Sequence, residues 1–118
     1  MTTDLRARRC VPCDGSTPKL GQDAITVLAR EVPAWSVDGD RLRRRFVFKD
    51  FVDAMRFVNR MADVAEAEGH HPDFTVHYRQ VDVVVWTHAV GGLSENDFVL
   101  AAKIDALVEG SGDSVREG

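Results

Sequence analysis

The chain has 118 residues, a mass of 13.1 kDa and a formal net charge of −4. That length fits one domain, and 44% hydrophobic with 29% charged residues is ordinary globular usage, which excludes chain-wide disorder, collagen-like structure and a disulfide-stapled miniprotein. The acidic balance argues against general nucleic-acid binding, and no apolar run approaches the ~20 residues of a membrane helix.

Cys10 and Cys13 open the chain as a C-x-x-C pair. This is half of a zinc site, and no second pair follows. Val11-Pro12 and Asp14-Gly15-Ser16-Thr17-Pro18 around it are loop chemistry, not the strand and helix of a thioredoxin-like motif. Reduced thiols, a metal contact and a response to oxidation all stay open. Residues 1–10 hold arginines but no apolar stretch, so no secretory signal is expected and the expected compartment is the cytoplasm. Residues 1–17 read as a flexible segment, 18–110 as the folded domain and 111–118 as a tail rich in Gly, Ser and charge.

Within the domain, Ile25, Leu28 and Ala29 predict a short helix over 22–30, ended by Pro33. Trp35 and Val37 alternate with polar residues, and Asp38-Gly39-Asp40 supplies a turn. Leu42, Arg44, Phe46 and Phe48 then share one strand face, with Arg43, Arg45 and Val47 on the other. Asp50 can cap the next helix. Its core stripe is read as Phe51, Ala54, Met55, Val58, Met61, Ala62 and Ala65. Phe57 and Val64 fall on a second apolar face. That predicts burial against another copy, a homo-oligomer built through helix 50–68.

Gly69 and Pro72 end this helix. Residues 74–78 and 81–88 read as a second hairpin about Arg79-Gln80, with Tyr78 facing Val81 and His88 facing His71. Ser94 and Asp97 resemble a capping box for a last helix that buries Leu100, Ala101, Ile104, Leu107 and Val108. The fold expected is α+β: a four-stranded antiparallel sheet with three helices packed on one face, in the order α-β-β-α-β-β-α.

All four histidines lie between His70 and His88. His77 falls near the hairpin tip and reads as a surface residue. The other three gather where a helix ends and a strand ends. Proton transfer suits them, because imidazole titrates near neutrality. A three-histidine metal site and a structural role remain as alternatives, although adjacent His70 and His71 diverge and make awkward joint ligands. Asp97 reads either as a carboxylate that orients an imidazole or as a first-turn acid complementing the helix dipole. Trp35 is either a core ring or a platform for a flat substrate.

Gly69-His70-His71-Pro72-Asp73, Thr87-His88 and Gly91-Gly92-Leu93-Ser94-x-x-Asp97 carry a resemblance. With Trp35 and Phe46-x-Phe48-Lys49-Asp50-Phe51, the pattern is similar to that of the pterin-4a-carbinolamine dehydratases over roughly residues 18–108. The resemblance implies loss of water from a 4a-hydroxytetrahydropterin to give the quinonoid dihydropterin, in tetrahydrobiopterin recycling. It implies no metal and no organic cofactor. It implies His70 and His88 in acid/base work and His71 in positioning the pterin. Glu66, Phe74, Trp86 and Thr87 match pocket positions, Trp35 matches a ring at the pocket rim, and Asp97 matches an acid near the histidine of the Thr-His pair. Dimers with a continuous sheet, and tetramers through the central helix, are also implied. Two departures stand out: Gly69 replaces an Asp found in some members, and Trp86 replaces a small residue. The alternative within the same family is a binding module, either a dimerisation cofactor of a transcription factor or a Rubisco assembly factor.

Overall fold

The computed structural model describes residues 5–8, 10, 19–108 and 116–117. Cys13 and most of the tail lie outside these residues. After a 3₁₀ turn at Leu5–Ala7, the elements are α1 (Gln22–Ala29), β1 (Ser36–Asp38), β2 (Arg41–Val47), α2 (Phe51–Glu68), β3 (Asp73–His77), β4 (Gln80–Val85), a 3₁₀ turn at His88–Val90, α3 (Glu95–Val108) and β5 (Arg116–Glu117). The antiparallel sheet runs β1-β2-β4-β3, and the two-residue β5 pairs with Phe46 and Val47 of β2. The expected α+β order is therefore the observed one. Among the described residues no helix is long and apolar enough to cross a membrane.

Alternation decides which sheet face is covered. Leu42, Phe46, Val81, Val83 and Val85 point into the core with α2 and α3. Arg44 shares that face. Its charge is met by Asp105 of α3 at 2.5 Å, and Asp105 also accepts from Trp35 Nε1 at 2.7 Å. A buried arginine is tolerated here because a carboxylate lies opposite it.

α2 starts where Asp50 accepts from the Asp53 amide at 2.9 Å, as the cap requires. Its rotation differs from expectation. Phe57 is 1% exposed and packs against Phe46 and Phe48, with ring centroids 4.6 and 5.1 Å away. Phe51 is 48% exposed, and Ala62 also faces outward. The stripe that faces the core is thus Ala54, Phe57, Val58, Met61 and Ala65. Phe57 completes an aromatic cluster inside one chain and cannot be the contact with a second copy. Each fully buried ring of this kind contributes about 1.5–3 kcal/mol by transfer from water.

The second hairpin does not keep its expected pairing. Val76 pairs with Val81 and His77 with Gln80, so Tyr78-Arg79 forms the turn. Tyr78 takes φ 55°, the left-handed conformation that tight hairpin turns demand. The Phe48 amide donates to the Arg79 carbonyl at 2.9 Å, and this contact from the residue after β2 holds the tip in that register. β4 ends at Val85, and Thr87 bridges Gly92 across the following 3₁₀ turn. His88 therefore sits on that turn and is not a strand partner of His71.

The N-terminal segment is partly anchored. Leu5 is 2% exposed in the core, and its turn lies on α3.

Candidate functional site

The site begins with the end of α2. Gly69 adopts φ 65°, and the His70 amide reaches back to the Ala65 carbonyl at 3.2 Å. This left-handed cap suits glycine, and it reverses the chain within one residue. Consecutive side chains then part. His70 turns inward to 6% exposure, and His71 stays outside.

His70 meets a carboxylate from the start of α3. Its Nε2 lies 2.7 Å from Asp97 Oδ1, and Asp97 is 0% exposed. Asp97 Oδ2 accepts from the Ser94 amide at 2.9 Å and from the Thr87 hydroxyl at 2.8 Å. Thr87 Oγ1 also lies 2.7 Å from Ser94 Oγ. Only half of a capping box forms, since the Ser94 hydroxyl is turned to Thr87. An ionised carboxylate only accepts, so Nε2 of His70 is the donor in this bond. Asp97 thereby sets the orientation and tautomer of one imidazole. The acid expected beside the histidine of the Thr-His pair instead bonds that pair's threonine and the first histidine.

The other imidazoles are open to solvent. His71 Nε2 lies 2.5 Å from Glu66 Oε2, an exposed pair one helical turn before the α2 cap. His88 packs its ring on Trp86, centroid to centroid 3.8 Å. Trp86 is held in turn by Asp73, which accepts from its Nε1 at 3.1 Å, and by the Arg41 guanidinium 4.1 Å from the ring centroid. His77 is exposed at the end of β3.

Two of the expected substrate contacts lie in enclosed surroundings. Trp35 is 4% exposed, with its edge against Phe46 and its N–H given to Asp105. Thr87 is buried, and its hydroxyl is spent on Asp97 and Ser94. Phe74 is exposed and pairs with Val83 on the helix side of the sheet, and a cleft of about 980 Å³ that it borders is lined by Arg43, Arg45, Asp73 and Asp82. None of the histidines lines that cleft, so the chemistry-bearing groups gather at the sheet's end, beside it. Among the described residues no three His, Cys, Asp or Glu side chains are grouped to hold a metal ion.

From sequence, Ser94 and Asp73 read only as motif positions, and Arg41 does not read as part of this site. The β2–β4 register, Leu42 opposite Val85, would have placed Arg41 beside Trp86. That pairing is long-range and leaves no local signal.

Comparison with known proteins gives one consistent result. The family model described as pterin 4 alpha carbinolamine dehydratase matches residues 18–107. A protein of Nitrosospira multiformis is 47% identical over 106 residues, covering 90% of this chain and 94% of its own length. One of Stenotrophomonas maltophilia is 49% identical over 107 residues, covering 89% and 92%. Both bear names that assign them provisionally to pterin-4-alpha-carbinolamine dehydratase. A crystal structure from Brucella melitensis, described as a transcriptional coactivator/pterin dehydratase, superposes with a TM-score of 0.73 at 34% identity, covering 76% of this chain and 98% of that one.

Proposed function

The chain belongs to the pterin 4 alpha carbinolamine dehydratase family, and from that premise we propose that it removes water from a 4a-hydroxytetrahydropterin by histidine acid/base catalysis. The observation that carries this reading is the buried His70–Asp97 pair, linked to Thr87, the residue that precedes His88.

The substrate carries a hydroxyl on one ring carbon and an N–H on the adjacent nitrogen. Loss of water needs a proton delivered to the hydroxyl and a proton taken from the nitrogen. The electron pair released at nitrogen forms the new C=N bond as the C–O bond breaks. His70 is the base, because Asp97 orients its ring and stabilises the imidazolium that forms. His88 is the acid, presented on the Trp86 ring at the open side of the site. His71 and Glu66 hold the pterin, whose amino-pyrimidinone edge offers both donors and acceptors. Each turnover leaves a proton on His70 and takes one from His88, so exchange with water resets the pair. Histidines near neutrality suit both halves of this cycle. The product is the quinonoid dihydropterin, and the step belongs to tetrahydrobiopterin recycling.

A binding role of the kind in the Brucella protein's description would not require three imidazoles, two of them paired with carboxylates. Their presence in this chain favours the enzyme. The test is a stopped-flow assay on 4a-hydroxytetrahydropterin generated in situ. Water is expected to be lost faster than in buffer, in proportion to protein concentration. A rate equal to the buffer rate sinks the reading.

A further inference from the structure

The family model begins at residue 18, and residues ahead of it contact both elements that build the His70–Asp97 pair. Leu5 is buried against α3. Arg8 pairs with Glu95, the first residue of α3. Cys10 Sγ lies 3.6 Å from the Asn96 carbonyl, one residue before Asp97. The Cys10 amide donates to Glu68 Oε1 at 2.8 Å, two residues before His70. The other oxygen of Glu68 takes Lys103 of α3 at 3.2 Å. The Glu68 side chain is 6% exposed and that of Lys103 17%.

These contacts close the same gap that the His70–Asp97 bond spans. The end of α2 supplies Glu68 and His70, and the start of α3 supplies Asn96 and Asp97. We propose that Glu68, braced by Lys103 and by the N-terminal segment at Cys10, is a positioning residue that holds His70 at bonding distance from Asp97. It touches neither imidazole chemistry nor substrate. It fixes the separation of the two elements, and a 2.7 Å hydrogen bond tolerates little change in that separation. The N-terminal segment, with Cys10 in a structural role, is then part of the site's frame. The catalytic side of this proposal rests on the dehydratase reading, but the geometric side does not.

The experiment uses the full chain with Glu68→Ala, Glu68→Gln and Cys10→Pro, the last removing both the N–H given to Glu68 and the thiol contact to Asn96. Two readouts are taken, the kinetics of pterin dehydration and the NMR exchange rate of the His70 Nε2 proton in water. Glu68→Ala is expected to lower kcat by roughly 10–100-fold with KM within about twofold, as small misplacement of a reacting group does. The Nε2 proton should exchange faster. Glu68→Gln keeps one acceptor oxygen and turns an NH₂ toward the other donor, so it should restore each readout only in part. Cys10→Pro should move both in the same direction by less. In a His70→Ala background, Glu68→Ala should lower the rate no further. If Nε2 exchange is unchanged in both Glu68→Ala and Cys10→Pro, the proposal is overturned. It is overturned equally if Glu68→Ala costs the same with His70 absent. Faster Nε2 exchange in a protein that does not dehydrate pterins would support the positioning role and sink the functional reading alone.

Discussion

Asp97→Ala is expected to cost the fold about 3–5 kcal/mol, a large share of the ~5–15 kcal/mol that stabilises a domain. The carboxylate serves three buried partners: the His70 ring, the Ser94 amide and the Thr87 hydroxyl. Alanine provides none of these acceptors, and the site is too enclosed for full hydration. Thr87 and Ser94 keep each other, which limits the loss. Asp97→Asn retains the volume and one oxygen, but turns an NH₂ toward either His70 or the Ser94–Thr87 side. Its expected cost is smaller, about 1–3 kcal/mol. Urea unfolding followed by circular dichroism measures both. An Asp97→Ala midpoint equal to wild type would show that Asp97 is not the acceptor at the centre of this network.

His88→Ala is expected to lower kcat by about 10²–10⁴-fold, the usual contribution of one positioned acid or base. In free energy this is roughly 3–5 kcal/mol of lost transition-state stabilisation. Stability should change by no more than about 0.5 kcal/mol, because the ring is exposed and leaves no buried group without a partner. That contrast separates His88 from Asp97, whose removal strikes fold and activity together. Steady-state dehydration kinetics beside the unfolding midpoint decide it. A variant within twofold of wild-type kcat would remove His88 from the acid role.

Much of the frame was legible in the residues, and the gaps share one cause. The Asp50 cap, the inward faces of β2 and β4 and the end of α2 at Gly69 are local signals, and they hold, whereas Phe74 and Tyr78 stay exposed. The rotation of α2 is not local. A stripe through Phe51 and Ala62 and one through Phe57 differ by a modest turn of the helix. Phe46 and Phe48 of the sheet decide between them. The same limit applies to Trp35, whose partner Asp105 is 70 residues away. The hairpin register is fixed by a long-range contact, the Phe48 amide just after β2 bonding the Arg79 carbonyl of the turn. At the site, the spacing of Ser94 and Asp97 was visible, but the partner 27 residues back, His70, was not. The three histidines could be grouped by pattern. Their division into one buried, carboxylate-bound ring and two exposed rings needed the fold.

The central claim is that His70 and His88 move the two protons of the dehydration. The most direct measurement compares wild type with the His70→Ala/His88→Ala double variant in the same stopped-flow assay, at equal concentrations of folded protein. The expected result is a double-variant rate close to that of buffer alone, and hardly below that of the slower single variant, because the two groups act as one unit. A double variant that still dehydrates the pterin at the wild-type rate would contradict the account.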